Sequence, residues 1–282
     1  MIDEYPISFV CNGHALVGVL HLPSSPPSVG VLIIVGGPQY RVGSHRQFLS
    51  LARQLATSGI AALRFDCRGM GDSEGIFPGF TGIGDDIHAA VDALQSAVPS
   101  LRRVVLWGLC DAASAIAFYA QSDDRVSGIV LLNPWVRTED SLAQAHVKHY
   151  YLQRLADPAF WRKLIRGEFA LTRAIGSFAG DLRRTIGARG APAAGEENLP
   201  ERMGVGIEKF RGPILLLLSG RDFTAKEFED AARRSKRWQR ILARGEVEQR
   251  DFAEADHTFS RRHWRDQVAH WTRAWIDQSV IP

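Results

Sequence analysis

Short apolar segments alternate with amphipathic segments along most of this chain, and this alternation limits the possible folds more than any other feature. Several of the intervening segments carry apolar residues at helical spacing, as Phe48, Leu51 and Leu55 do. Strands that alternate with helices form a mostly parallel sheet with helices on both faces. The sequence therefore predicts an α/β fold. Five apolar segments are the predicted central strands: 29–35, 60–65, 104–109, 127–132 and 213–218.

The alternation stops after residue 134. Residues 135–205 keep a helical periodicity, are rich in Trp, Tyr and Arg, and contain no strand-like segment. We interpret them as a helical lid inserted into an α/β core that comprises 1–134 and 206–282. Further predicted elements are a β-hairpin over 6–22 around the turn Asn12-Gly13, helices over 82–97, 225–243 and 260–279, and a strand over 247–252.

Composition and charge exclude several classes of protein. The chain has 282 residues, of which 45% are hydrophobic and 23% charged, as in an ordinary globular protein. Its net charge of +3 is too small to indicate a nucleic-acid or anionic-membrane partner. The three cysteines are far apart in sequence, so we expect no disulfide framework, metal site or cofactor. No apolar run approaches the roughly 20 residues of a membrane span. The first residues lack the order of a signal peptide, so a cytoplasmic location is expected.

The strand over 104–109 leads into the motif with most chemical content. Residues 108–112 read Gly-Leu-Cys-Asp-Ala, and helical sequence follows. This resembles the nucleophile elbow G-x-S-x-G, with Cys110 in the serine position and Ala112 in place of the last glycine. Such a turn exposes the nucleophile and directs the next backbone N–H, that of Asp111, towards an oxyanion. We expect the Asp111 carboxylate to point away from the thiol.

A nucleophilic thiol needs a base, and the base needs a group that orients it. Asp222 follows the 213–218 strand, and His257 follows the 247–252 strand. Ligand-binding groups in open parallel sheets lie beyond the carboxyl ends of the strands. We therefore predict a catalytic triad of Cys110, Asp222 and His257.

Each member of this triad has a structural alternative. A buried cysteine is often only a small apolar residue, which is our interpretation of Cys11 and Cys67. Asp222 could be only a turn or helix-capping residue. His257 competes with two other histidines, His263 and His270, but only His257 lies in a loop after a strand.

Several motifs together resemble the α/β-hydrolase superfamily over nearly the whole chain outside the lid. They occur in the expected order at 36–38, 66–73, 108–112, 219–222 and 256–257. Residues 36–46, combined with the cysteine elbow, more narrowly resemble hydrolases associated with bacterial exosortase A systems. Dienelactone hydrolases are similar in using a cysteine nucleophile in this fold. The resemblance implies an α/β-hydrolase fold and an acyl-transfer reaction.

The second oxyanion donor is expected in the loop after the 29–35 strand. Pro38 has no N–H, and comparison with the related His-Gly-Gly-Pro pattern favours Gly37, with Gln39 as the alternative. Two residues near the start of the next helix, His45 and Arg46, either contact substrate or only cap the structure.

A cysteine nucleophile forms a thioester intermediate, which favours activated acyl donors. We expect a hydrolase of ester or thioester substrates. The same residues also suit an acyltransferase, and a non-catalytic binding protein is a third alternative. The expected partner is a small acyl substrate, carried by coenzyme A or by a carrier protein if the arginines of the lid meet an acidic group. The sequence does not determine the oligomeric state.

Overall fold

A central eight-stranded sheet organises the computed structural model of this protein, which describes residues 2–37, 39–137 and 199–281. The strands lie in the order β1-β2-β4-β3-β5-β6-β7-β8. Their bounds are β1 (Asp3–Cys11), β2 (His14–Leu22), β3 (Val29–Ile34), β4 (Ala61–Phe65), β5 (Arg103–Leu109), β6 (Val126–Leu132), β7 (Ile214–Ser219) and β8 (Val247–Phe252). The chain divides into two compact units, Met1–Val136 with Pro200–Pro282, and Arg137–Leu199. The sheet belongs to the first unit.

Seven α-helices lie in the described part of the chain. They are α1 (Gln47–Thr57), α2 (Gly84–Ala97), α3 (Asp111–Tyr119), α4 (Leu199–Lys209), α5 (Phe223–Arg234), α6 (Lys236–Leu242) and α7 (Arg262–Trp275). Within these same residues, no helix is both long and apolar enough to cross a membrane.

The sheet is parallel from β4 to β8 and antiparallel at its other edge. Every residue of β3, β4 and β7 is buried, as is typical of mostly apolar strands covered on both faces. β1 pairs with β2, and β2 with β4, in antiparallel register. Asn12 and Gly13 both have a positive φ, the backbone of a tight hairpin turn. The predicted α/β fold and the predicted hairpin are both confirmed.

Helices cover both faces of the sheet. On one face, α1 packs against α7, and both join a buried cluster with alternate residues of the central strands, such as Ile33 and Trp107. On the other face, Leu94 of α2 lies over Gly30, and Ile116 of α3 lies over Gly108. Because β5, β7 and β8 are parallel, their carboxyl ends lie at the same edge of the sheet. The predicted triad residues come after these three strands and therefore lie at that edge.

Two predicted elements differ from the structure or lie outside the described residues. The helix predicted over 225–243 is two helices, α5 and α6, because Ser235 between them has an extended backbone. Its side chain accepts a hydrogen bond from the Trp238 N–H and so caps the start of α6. Most of the predicted lid, residues 138–198, lies outside the described residues, so the lid stays a prediction.

Candidate active site

Cys110 stands at the sharp turn between β5 and α3. Its backbone has φ 64° and ψ −125°, a left-handed conformation that a non-glycine residue rarely adopts. Its N–H donates to the Leu132 carbonyl at 2.9 Å, and its own carbonyl accepts from the Trp135 N–H at 3.2 Å. A Cβ on Gly108 would lie 2.7 Å from the Cδ1 of Ile116, so the helix approaches the strand closely here. These contacts hold the strained turn in place.

The three cysteines occupy different environments. The Cys110 side chain is half-buried, whereas Cys11 and Cys67 are buried and unpaired. Burial, with a smaller contribution from the nearby Asp86 carboxylate, raises the pKa of the Cys67 thiol well above its ordinary value. Burial likewise raises the pKa of Cys11. Reactive thiols are accessible and readily ionised. Of the three, only Cys110 is partly exposed.

Asp222 and His257 lie together in the loops that follow β7 and β8. The His257 Nδ1 is 2.8 Å from the Asp222 Oδ2. A carboxylate only accepts, so Nδ1 donates, which leaves Nε2 as the ring nitrogen available to the Cys110 sulfur. Asp222 is 5% exposed, and its two oxygens also accept the N–H groups of Thr224 and Ala225, which caps α5. Asp222 therefore caps a helix, which was its structural alternative in the sequence analysis, and it also orients the His257 imidazole.

The surroundings of His257 favour its charged form. Burial opposes the imidazolium, but hydrogen bonds to the Asp222 carboxylate and to the Cys110 sulfur outweigh burial and raise the pKa of His257 to about 10. At neutral pH the ring therefore carries a proton, which it can donate to a leaving group.

A buried amide that the sequence analysis missed joins these loops. Asn133, which follows β6, is fully buried and has a positive φ of 42°. Its Nδ2 donates to the Ser219 Oγ at 2.9 Å and to the His257 carbonyl at 3.2 Å, and its Oδ1 accepts the Ser219 N–H at 2.9 Å. The available signal was its position directly after a buried strand, at the same edge of the sheet as the loop that carries Asp222. Asn133 fixes the His257 loop against the end of β7.

The Asp111 carboxylate points to the loop that follows β3, and its expected orientation away from the Cys110 thiol stays a prediction. Its Oδ2 accepts the Gly37 N–H at 2.9 Å. A Cβ on Gly36 would lie 2.1 Å from the Asp111 Oδ1, so the glycine loop packs directly against this carboxylate. The sequence could not predict this side-chain orientation, because Asp111 follows β5 and its hydrogen-bond partner lies in the loop after β3.

Both predicted sources of the second oxyanion donor make internal hydrogen bonds here. The Gly37 N–H donates to Asp111, and the Gln39 N–H donates to the Gly37 carbonyl at 2.8 Å. The Gln39 side chain accepts from the Ser44 N–H at 3.3 Å, which ties the loop to the residues before α1. The oxyanion roles of Gly37, Gln39 and the Asp111 N–H remain predictions.

His45 and Arg46 are exposed and sit on strained backbone next to the site. Both have a left-handed φ, 53° and 60°, which costs about 1–3 kcal/mol per residue. Burial opposes ionisation of Asp256, but hydrogen bonds from Ser260 outweigh it and lower the pKa of Asp256, and the charge of His45 acts in the same direction. His45 therefore lies near the loop that carries His257. Substrate contact by either residue remains a prediction.

Comparison with known proteins adds a family and a fold. A sequence model of the family described as serine aminopeptidase, S33, matches residues 27–173. No curated protein matches the chain in sequence. The described ranges contain no group of three His, Cys, Asp or Glu side chains that could hold a metal ion.

Several solved structures are similar over almost the whole chain. An esterase of Pyrococcus furiosus is 15% identical, with a TM-score of 0.65 over 99% of this chain and 94% of that one. An esterase of Butyrivibrio proteoclasticus with bound ferulic acid is 14% identical, with a TM-score of 0.63 over 98% and 100%. The esterase domain of a Rhodothermus marinus protein is 18% identical, with a TM-score of 0.60 over 99% and 100%. At this identity the similarity establishes the fold.

Proposed function

The chain belongs to the serine aminopeptidase S33 family and has the α/β-hydrolase fold, and from this premise we propose that it hydrolyses ester or thioester acyl substrates with Cys110 as its nucleophile. The observation that supports this most is that the His257 side chain contacts both the Asp222 carboxylate, 2.8 Å from its Nδ1, and the Cys110 sulfur. These hydrogen bonds raise the pKa of His257 to about 10, in spite of burial. A protonated imidazole beside a half-exposed sulfur suits a thiolate nucleophile.

The proposed reaction has two steps. In the first, the Cys110 thiolate attacks the acyl carbonyl, and His257 transfers its proton to the departing alkoxide or thiolate, which leaves a thioester on Cys110. In the second, neutral His257 takes a proton from water while the water oxygen attacks the thioester. The carboxylic acid is released, and the Cys110 thiolate and the imidazolium are restored. Asp222 keeps Nδ1 protonated throughout, so that Nε2 performs both proton transfers.

The family description names a serine enzyme, whereas this chain carries Cys110 at the elbow. Transfer of an acyl group from a thioester to a thiol is close to thermoneutral, and transfer from an oxyester is uphill. We therefore propose that the preferred substrates are activated donors such as thioesters or strained lactones. A Cys110→Ser variant should lose more activity towards thioesters than towards simple esters. Faster ester turnover by Cys110→Ser, with unchanged thioester turnover, would remove the basis of this preference.

Initial rates with a small panel of donors test the proposed function. The panel contains a p-nitrophenyl ester, an acyl-coenzyme A and, because of the family description, an aminoacyl p-nitroanilide. We expect ester or thioester turnover in the wild type, its loss in Cys110→Ala, and its retention in the matched control Cys11→Ala. Equal turnover in the wild type and Cys110→Ala would contradict the proposal. Turnover of the anilide alone would assign the chain to peptide substrates instead.

The same panel separates the other functions considered from the sequence. Release of the acyl group only after addition of an amine or alcohol would indicate an acyltransferase, and no reaction with any donor would indicate a binding protein. Three further points remain parts of the proposal: an acyl donor bound to coenzyme A or to a carrier protein, a cytoplasmic location, and a relationship to the exosortase-associated hydrolases. The family and the fold do not distinguish among these finer alternatives.

A further inference from the structure

The Asp111 carboxylate lies where the proposed reaction needs an empty anion site. Its Oδ2 is 2.9 Å from the Gly37 nitrogen, within the range of a hydrogen bond from a backbone N–H to an oxyanion. The backbone N–H groups of Ala112 and of Asp111 itself also face this carboxylate. The sequence predicts the Asp111 N–H as one donor of the oxyanion hole and favours the Gly37 N–H as the second, with Gln39 as the alternative. The favoured second donor, the Gly37 N–H, therefore already binds a side-chain anion.

The fit between the carboxylate and the loop is close. A Cβ on Gly36 would lie 2.1 Å from the Asp111 Oδ1, so a side chain at position 36 would exclude this arrangement. Gly37 has a φ of 61°, which turns its backbone into a conformation that favours glycine. The two glycines thus let the loop bring an N–H directly onto the carboxylate.

The arrangement also leaves part of the carboxylate unsatisfied. The Oδ1 of Asp111 is buried without a hydrogen-bond partner. Burial raises the pKa of Asp111, and the N–H groups that face it only partly oppose this effect. A purely structural carboxylate is normally satisfied at both oxygens. A poorly satisfied anion is easier to displace than a fully bonded one.

We propose that the Asp111 side chain is an internal occupant of the oxyanion hole, and that it must release the Gly37 N–H before an acyl substrate can react at Cys110. The carbonyl oxygen of the substrate replaces Oδ2 on the Gly37 N–H, and the negative charge that develops on that oxygen repels an ionised Asp111. Substrates that bind too weakly to displace the carboxylate react slowly. Asp111 therefore determines specificity, favouring donors whose other contacts supply the displacement energy. This inference rests on the proposed role of Cys110 as an acyl acceptor.

Two reactions of the same sulfur separate this role from other effects of Asp111. Alkylation by iodoacetamide needs the Cys110 thiolate but forms no oxyanion. Acylation by a p-nitrophenyl ester needs the thiolate and also forms an oxyanion that must be stabilised. The ratio used here is the second-order rate constant of acylation divided by that of alkylation. Any change in the reactivity of the thiolate itself cancels in this ratio. We expect this ratio to rise about tenfold in Asp111→Ala, since one charge-assisted hydrogen bond no longer competes for the Gly37 N–H.

Asp111→Asn and Asp124→Ala are the matched variants. The asparagine can still accept the Gly37 N–H but carries no charge, so its ratio should rise less than that of Asp111→Ala. Asp124 is exposed, and its removal should leave the ratio unchanged. If Asp111→Ala does not fold, Asp111→Ser takes its place, with a side chain too short to span the same distance.

Each outcome has a definite meaning. Acylation of Cys110 with a ratio that is unchanged or lower in Asp111→Ala overturns the inference about Asp111 and leaves the proposed function intact. Normal alkylation with no acylation in any variant overturns the proposed function, and the inference with it. Binding of a small aliphatic aldehyde gives an independent readout. Addition of the Cys110 thiolate to the aldehyde forms a thiohemiacetal whose oxygen takes the place of the oxyanion in the oxyanion hole. The Kd of the aldehyde should fall about tenfold in Asp111→Ala, and an unchanged or higher Kd contradicts the inference.

Discussion

Asp222 combines two functions at one position. It caps α5 through the N–H groups of Thr224 and Ala225, and it accepts the hydrogen bond from the Nδ1 of His257. The two functions depend on different properties of the side chain. Capping needs acceptor oxygens, one of which an amide would retain, whereas the raised pKa of His257 also needs the negative charge.

Substitution at Asp222 should therefore separate stability from activity. Asp222→Asn keeps one of the two acceptor oxygens, and asparagine caps a helix about as well as aspartate, so the free energy of unfolding should change by less than about 1 kcal/mol. The pKa of His257, measured by NMR titration, should fall from about 10 towards its ordinary value, and kcat/KM should fall by about 10²- to 10⁴-fold. Asp222→Ala should lose a further ~1–2 kcal/mol of stability with the cap. Ser235→Ala, which removes only the cap of α6, is the control and should retain activity. Full activity in Asp222→Asn would contradict the assignment.

Asn133 offers a second test at the residue scale. Its amide makes three hydrogen bonds in a fully buried position, two to Ser219 and one to the His257 carbonyl. Asn133→Ala leaves these partners unsatisfied, and we expect a loss of about 2–4 kcal/mol in chemical denaturation. Below the melting transition, kcat should fall more than KM rises, because the His257 loop loses its attachment while the pocket remains. A variant of unchanged stability would show that the amide does not fasten the loop.

The residues of this site differ in how far sequence alone can identify them. Cys110, Asp222 and His257 lie in the turns and loops that follow strands, and their chemical types suit a triad, so position and chemistry agree. Asn133 has the same kind of position, but an amide after a strand has many possible roles. The conformation of Asp111 depends on a loop 74 residues away in sequence, and no local pattern encodes that contact.

At the scale of elements, the turn between β5 and α3 depends on close packing at Gly108. A Cβ there would lie 2.7 Å from the Cδ1 of Ile116 and 2.9 Å from the backbone carbon of Ala112. Gly108→Ala should therefore push the helix from the strand, lower the free energy of unfolding by about 1–3 kcal/mol, and slow alkylation of Cys110. Gly245→Ala, where the added Cβ meets no atom within 4 Å, is the control and should change stability by less than about 1 kcal/mol. Equal stability of the two variants would contradict this account of the turn.

The elements themselves follow from the sequence where local signals are strong. The apolar runs of β3, β4 and β7 and the Asn12-Gly13 turn were sufficient to predict those strands and the hairpin. The break between α5 and α6 was not predicted, because the apolar periodicity continues through it. Ser235 was the only local signal, and a serine within a helical pattern is equally compatible with an exposed helical position.

At the scale of the whole molecule, a buried histidine makes stability depend on pH. His21 on β2 is fully buried, and its Nε2 accepts from the Arg64 Nε at 2.9 Å across the β2–β4 pair. Burial lowers the pKa of His21 to about 4, the charge of Arg64 acts in the same direction, and the nearby Glu4 opposes them. Between pH 4 and the unfolded-state value near 6.5, the unfolded chain binds more protons than the folded chain.

The stabilising contribution of neutral His21 is therefore complete above about pH 6.5 and is lost as the pH falls towards 4. We expect up to about 3 kcal/mol of the acid destabilisation to come from this group. Denaturation midpoints at a series of pH values check this. His21→Gln should flatten the dependence in this window, and His270→Gln, at an exposed position, should leave it unchanged. An equally steep dependence in His21→Gln would assign the effect to other groups.

The order and directions of the strands are properties of the whole molecule that alternation predicted only in part. The alternation of strand-like and helix-like segments predicted a mostly parallel sheet, and the resemblance to α/β-hydrolases predicted the superfamily. The placement of β2 beside β4, with β3 between β4 and β5, depends on pairings between distant segments that no local pattern specifies.

The central claim is that the Cys110 sulfur carries the acyl group during turnover. Rapid acid quenching after mixing the protein with an acyl thioester, followed by intact-mass measurement and peptide mapping, tests this most directly. The account predicts one added acyl group, located on the peptide that contains Cys110, and no such adduct in Cys110→Ala. Substrate turnover with the acyl group on another residue, or with an equal adduct in Cys110→Ala, would contradict it.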